Sequence, residues 1–157
     1  TDLAKDEKYL LKWLDQAMHG EMGYMQRHGN KRTHPAELIP GTIRIISTRM
    51  DYMSADGEDP ESILNNPQQA YVSRYATGRD YHKIIRSRLQ KLGEKISEIT
   101  GEFGYRAFTD SAPILEKAVA RNSGLGWIGK HTNLISPSFY IFPRIFDPHI
   151  MIVCIIF

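Results

Sequence analysis

The sequence predicts a single α/β domain. The 157 residues are enough for one domain with a real core. Their composition, 41% hydrophobic and 24% charged, is that of an ordinary soluble globular chain. Runs with strand character also alternate with runs of helical period, which is the pattern of an α/β fold.

The elements follow in order. Residues 6–19 predict a helix, because Tyr9, Leu10, Trp13, Leu14, Ala17 and Met18 recur at helical spacing and Gly20 offers a stop. "GEMGYMQRHGNKRTHP" is short, polar and punctuated by glycine, so it reads as loop. Residues 42–50, "TIRIISTRM", read as a strand after the Pro40-Gly41 turn signal. Residues 54–69 hold Gly57, Pro60, Pro67 and several acids, and read as a surface excursion. "AYVSRYATGRDYH" begins like a strand. Residues 80–100 give the clearest helix, with Ile84, Ile85, Leu89, Leu92, Ile96 and Ile99 in one stripe. Its other face is basic: Lys83, Arg86, Arg88, Lys91 and Lys95. "YRAFT", 105–109, predicts a strand, 113–122 a helix, and a last strand region starts near Asn133.

Twenty basic and 18 acidic residues leave a net charge of +2. That is no global basic field, so any nucleic-acid binding must use a local patch. The one cysteine, Cys154, excludes an internal disulfide and a Cys-ligated cluster, and fits a reducing compartment. No signal peptide is read at the start. The terminal run "IMIVCIIF" is far shorter than the roughly 20 residues that span a bilayer, so a strand-rich end is expected rather than a membrane anchor.

Four stretches could carry chemistry. Asp110, with Ser111 and Pro113, has the residue types of a helix start. A cap is the commoner use of such residues; the other reading is a catalytic acid, but a proton donor must be kept from ionising, which demands a large apolar partner beside it. "GLGWIGKH", 124–131, is not read as a phosphate loop, because His131 stands where Ser or Thr should follow the lysine. Its glycines either end a helix and make a turn, or let backbone approach a ligand, with Lys130 and His131 as donors. "RHGNKRTHP" is either a solvated charge run or a wrap for an anionic or amide-rich ligand; His28 and His34 have no zinc spacing. "SRYATGRDYHK" interleaves basic and aromatic residues, which suits nucleic acid or a cofactor tail, or else is a strand end and a helix start capped by Asp80.

Together, "WLDQAMHGEMGYMQRHGNKRTHPAELIPG", "YVSRYATGRDYHKIIRSRLQKLGEKI" and "FTDSAPILEKAVARNSGLGWIGKHTNLIS" resemble the N-terminal catalytic domain of the epoxyqueuosine reductases. The resemblance implies a nitroreductase-like α/β sandwich, a central mixed sheet flanked by helices, here truncated at both ends. It implies base-off cobalamin as cofactor and tRNA carrying epoxyqueuosine as partner, the epoxide being reduced to an alkene. By matching motif, Asp110 would be the proton donor and a cobalamin contact, and Arg32, Ser73, Lys130, His131 and Leu134 would be further cobalamin contacts. No metal ligand is carried over. The family's iron–sulfur clusters sit in a C-terminal domain, and this chain has no ligands for them.

The expected organisation is a partial cobalamin-binding domain over 1–136 and a divergent apolar tail over 137–157. In the tail Phe142-Pro143-Arg144 replaces the family's Gly-Glu pair, which suggests a truncated or frame-shifted end. A cytoplasmic monomer without a membrane partner is expected, and the electron donor is not read. Two other readings stand beside this one: a non-catalytic nucleic-acid-binding module using the basic face of 80–100, and a non-functional truncated product.

Overall fold

A computed structural model describes residues 2–50, 58–136 and 151–156. Its elements are α1 (Ala4–Asp15), α2 (Pro35–Leu38), β1 (Ile45–Met50), α3 (Pro60–Leu64), α4 (Tyr81–Thr100), β2 (Arg106–Phe108), α5 (Glu116–Asn122), β3 (Trp127–Ile128), β4 (Leu134–Ile135) and β5 (Met151–Ile156), with short 3-10 turns at Gly23–Met25, Gly29–Arg32 and Arg74–Ala76.

One sheet has the order β1-β5-β2. The strand in the apolar tail is therefore the middle one. It runs antiparallel to both neighbours, with Ile45 opposite Ile156 and Arg106 also opposite Ile156. These three strands do not form the mixed sheet expected from the sequence. β3 and β4 form a separate hairpin.

Strand alternation sorts side chains to the two faces. Ile46, Met50 and Ala107 pack against Ile85 and Leu89 of α4. Ile45 and Phe108 pack on the opposite side with Leu3, Ile114, Ala118 and Val119 around α5. Helix, sheet and helix thus form three layers, and the α/β class read from the sequence is correct.

α4 matches its prediction: Asp80 caps it by accepting the His82 N–H, and Ile85 and Leu89 are buried. The predicted stripe ends early, since Ile99 is 85% exposed. α1 stops at Asp15, before Gly20. Met18 N–H bonds to the Trp13 carbonyl, Ala17 N–H bonds to the Leu14 carbonyl, and Ala17 has φ +53°. That is a Schellman motif with alanine at the left-handed position. Its usual glycine is absent, which is why the stop was misplaced.

Residues 70–76 form no strand. The Ser73 carbonyl accepts the Ala76 N–H and closes a turn instead. α5 begins at Glu116 rather than 113, because residues 109–114 are used in tight turns. α3 falls within the predicted surface excursion, capped by Asp59 with Pro60 in its first turn. The Phe142-Pro143-Arg144 departure lies outside the described residues.

Candidate active site

α1 buries none of its residues fully. Its apolar face instead forms one wall of a groove of 840 Å³. Tyr9, Leu10 and Trp13 line it from α1, Met18 and Met25 from the following loop, Ile114 and Leu115 from the segment before α5, and Ile128 and Thr132 from the β3–β4 hairpin. The acidic and basic groups of the walls are Asp6, Lys12, Arg32, Asp110, Glu116 and Lys117.

Three ties hold the walls together. Arg121 of α5 makes a two-pronged ion pair with Asp6 of α1, at 3.0 and 2.8 Å. Thr33 Oγ1 donates to Glu7 of α1 at 3.0 Å. Leu115 N–H bonds to the Arg32 carbonyl.

Asp110 lies two residues past β2. It has φ +56°, and Ser111 N–H bonds to the Thr109 carbonyl at 2.7 Å across it. This is a γ-turn of the strained kind, which non-glycine residues rarely adopt. The Asp110 side chain is half-exposed and caps no helix, so the helix-start reading is wrong. Tyr81 Oη donates to Asp110 Oδ2 at 2.7 Å, and His82 Nε2 lies 3.5 Å from the same oxygen. The His82 ring stacks on Tyr81, with centroids 4.0 Å apart, and its Nδ1 meets Asp80. Burial, then the Asp110 bond, pushes the Tyr81 hydroxyl up, so it stays a proton donor. The His82 hydrogen bond holds the Asp80 carboxyl below its usual range.

Glu116 is a half-buried acid of the groove. Burial, and then the charge of Asp110, push its carboxyl up to about 7. Its Oε1 finds no hydrogen-bond partner among the described residues.

Arg32 is buried at the groove, and burial lowers its pKa. It donates to the Met25 and Tyr24 carbonyls at 3.2 and 2.9 Å, so it organises the loop that borders the groove. Lys130 and His131 are exposed on the hairpin turn, Ser73 opens the 3-10 turn before α4, and Leu134 is buried against Ala120. None of these four lines the groove.

The glycines of "GLGWIGKH" have internal reasons. Gly124 takes φ +78° after α5, the helix-ending role. A Cβ on Gly126 would lie 2.0 Å from the Ile135 carbonyl oxygen, and one on Gly129 would meet the His131 ring. The stretch leads from α5 through β3 into a hairpin turn, not from a strand into a helix as a phosphate loop does. Sequence reading missed Glu116, and it missed Tyr81 and His82 as partners of Asp110. Only the aromatic–basic run at 73–83 pointed towards the latter pair.

Residues 32–111, just over half of the chain, match the family model described as epoxyqueuosine reductase QueG, DUF1730. The chain belongs to this family. Epoxyqueuosine reductase from Pseudomonas aeruginosa is 56% identical over 136 residues, covering 87% of this chain and 37% of the relative. The Escherichia coli enzyme is 52% identical over the same length and 36% covered. This member of the family therefore spans under two fifths of the curated relatives it matches. The solved epoxyqueuosine reductase of Streptococcus thermophilus superposes with a TM-score of 0.74 at 22% identity, over 99% of this chain and 39% of the other. At that identity the likeness shows a shared fold. No helix among the described residues is long and apolar enough to cross a membrane.

Proposed function

We propose that this chain is the catalytic-domain portion of a cobalamin-dependent epoxyqueuosine reductase acting on tRNA. One observation carries the reading: a carboxylate on a strained turn, gripped by a tyrosine, at the wall of a large apolar groove in a chain of this family. A solved relative bound to an epoxyqueuosine-modified tRNA-Tyr stem loop, with TM-score 0.71 at 19% identity over 97% of this chain and 38% of its own, supports RNA as the substrate class. So does the exposed basic face of α4, Lys83, Arg86, Lys91 and Lys95. The three-layer arrangement supports a nitroreductase-like sandwich. Residues 1–136 would form the partial cobalamin-binding domain and 137–157 a divergent tail, working in the cytoplasm. With one cysteine the chain has no iron–sulfur ligand set, and those clusters are assigned to a separate domain of full-length relatives.

The donor set fits cobalamin. The walls are broad and apolar, and the unpartnered Glu116 Oε1 suits an amide N–H of the kind that rims the corrin. Arg32 and Asp110, which line the groove, would hold it, whereas the other contacts that the resemblance implies, Ser73, Lys130, His131 and Leu134, stand outside its walls. When bound, cobalamin supplies the two-electron redox chemistry.

Two electrons and two protons convert the epoxide to an alkene and water. Asp110 gives its carboxyl proton to the departing epoxide oxygen. Tyr81 steadies the carboxyl from one side, and a large partner seated on the apolar walls would cover the half-exposed Asp110 from bulk water.

A visible-absorption titration of the chain with cob(II)alamin tests the site: a saturable shift to the base-off spectrum is expected, and no shift from a folded sample counts against it. In a full-length enzyme, Asp110→Asn should keep cobalamin binding and lose about 10²-fold or more in turnover. Undiminished turnover would sink the donor role. A plain RNA-binding module predicts a different result: affinity falling steeply with salt and indifferent to cobalamin.

A further inference from the structure

We infer that His82, oriented by Asp80, is the relay that returns solvent protons to Asp110: a line of Asp80, His82 and Asp110 runs from the half-exposed start of α4 to the turn at the groove wall. The inference rests on Asp110 being the proton donor. Reduction of the epoxide to an alkene and water brings two protons to one oxygen. The Asp110 carboxyl holds one, so it must be recharged within each turnover.

Two side chains meet this carboxyl, and they differ in what they can supply. Tyr81 donates a hydrogen bond to Oδ2 at 2.7 Å, but burial and that bond push its hydroxyl up, so it keeps its proton. His82 Nε2 lies 3.5 Å from the same oxygen. Imidazole is the side chain that takes and gives a proton near neutral pH. The ring is held in place: Asp80 Oδ1 is 3.0 Å from Nδ1, the Tyr81 ring stacks on it at 4.0 Å, and Tyr75 stands edge-on to Tyr81. Asp80 is itself fixed, because its side chain caps α4. An ionised carboxylate only accepts, so Asp80 keeps a proton on Nδ1. The neutral ring then turns a lone pair at Nε2 towards Asp110, and the charged ring turns an N–H there.

The step balances. The imidazolium gives its Nε2 proton to the Asp110 carboxylate, leaving a neutral ring and a neutral carboxyl. The His82 side chain is 48% exposed, so a solvent proton restores the imidazolium. Carboxyl torsions are broad and two-fold. A proton placed on Oδ2 therefore serves the groove once the group turns, and the other oxygen takes over the Tyr81 bond.

The test uses a full-length enzyme carrying this domain, loaded with cobalamin and assayed on an epoxyqueuosine stem loop. His82→Gln keeps a hydrogen-bonding side chain that relays no proton, and His82→Ala removes the ring. Both should lower kcat about tenfold or more, with KM for the stem loop and the cobalamin spectrum unchanged. Raising phosphate at constant pH and ionic strength should restore the kcat of His82→Ala several-fold, because a mobile acid replaces the relay, and should leave the unmodified enzyme as it was. A residue that only positioned Asp110 would give a loss that phosphate does not restore. In the chain alone, 15N spectra of labelled histidine should show neutral His82 with its proton on Nδ1; a proton on Nε2 overturns the relay.

If Asp110→Asn is inactive while both His82 variants keep the unmodified kcat, this inference falls and the donor reading stands. The same holds if kcat falls and phosphate does not restore it. Full turnover in Asp110→Asn overturns both. Should His82→Ala fail to fold, the phosphate titration of His82→Gln decides: a loss that phosphate restores supports the relay, and any other result overturns it.

Discussion

Glu116 puts a pH signature on stability. In the folded chain its carboxyl is pushed up to about 7 from 4.5. The folded state therefore holds a proton that the unfolded chain releases, and stability falls as pH rises from about 4.5 through about 7. The loss is on the order of 3 kcal/mol, complete above that window. Glu116→Gln should flatten the curve and melt higher than the unmodified chain at pH 8. Equal melting temperatures at pH 8, with the same slope between pH 5 and 8, would contradict this. At this scale the sequence was half legible. Asp110 and Arg32 could be picked out because their residue types and surrounding motifs are distinctive. Glu116 could not, because an acid in the first turn of a helix is ordinary, and only burial makes this one unusual. Tyr81 and His82 meet Asp110 from 29 and 28 positions away, and no local pattern encodes that meeting.

Elements were legible where several local signals agreed. α4 has a capping aspartate, a long apolar stripe and a closing glycine, and its ends fall within a residue of those predicted. α1 was misjudged because its stop is made by Ala17 at φ +53°. A left-handed alanine costs about 1 kcal/mol relative to glycine. Ala17 is exposed, so removing its methyl group leaves no hole. Ala17→Gly should therefore raise stability by about 1 kcal/mol, read as a higher urea midpoint at unchanged slope. The hairpin gives the opposite case. A methyl group on Gly126 would sit 2.0 Å from a backbone oxygen of β4, which cannot swing aside as a side chain can. Gly126→Ala should cost about 3 kcal/mol and separate β3 from β4. Hydrogen exchange at Gly129, whose N–H bonds to the Asn133 carbonyl, would report that opening. Unaltered protection there would show that the strands can shift to accommodate the methyl group.

Across the whole molecule, the sheet depends on the strand most distant in sequence from its partners. β1 and β2 do not pair with each other; each pairs with β5. The alternation of strands and helices was visible in the sequence, but the order β1-β5-β2 was not, because hydrophobic pattern fixes which face is buried and not which strand lies beside which. The same sheet separates α4 from α5, and so sets Tyr81 at the start of one layer against Asp110 at the edge of the next. The site therefore inherits its geometry from β5. Cys154 is opposite Ser47 on one side and Phe108 on the other. Proline there removes a backbone donor from a middle strand, where it is not tolerated. Cys154→Pro should cost about 3 kcal/mol or more, abolish the cooperative melt, and release protection of β1 and β2 amides together. Cys154→Val keeps the backbone donor and should keep the melt. If Cys154→Pro melts like the unmodified chain, β5 is not the strand that joins the two layers, and the placing of Tyr81 against Asp110 must come from contacts within residues 58–136 alone.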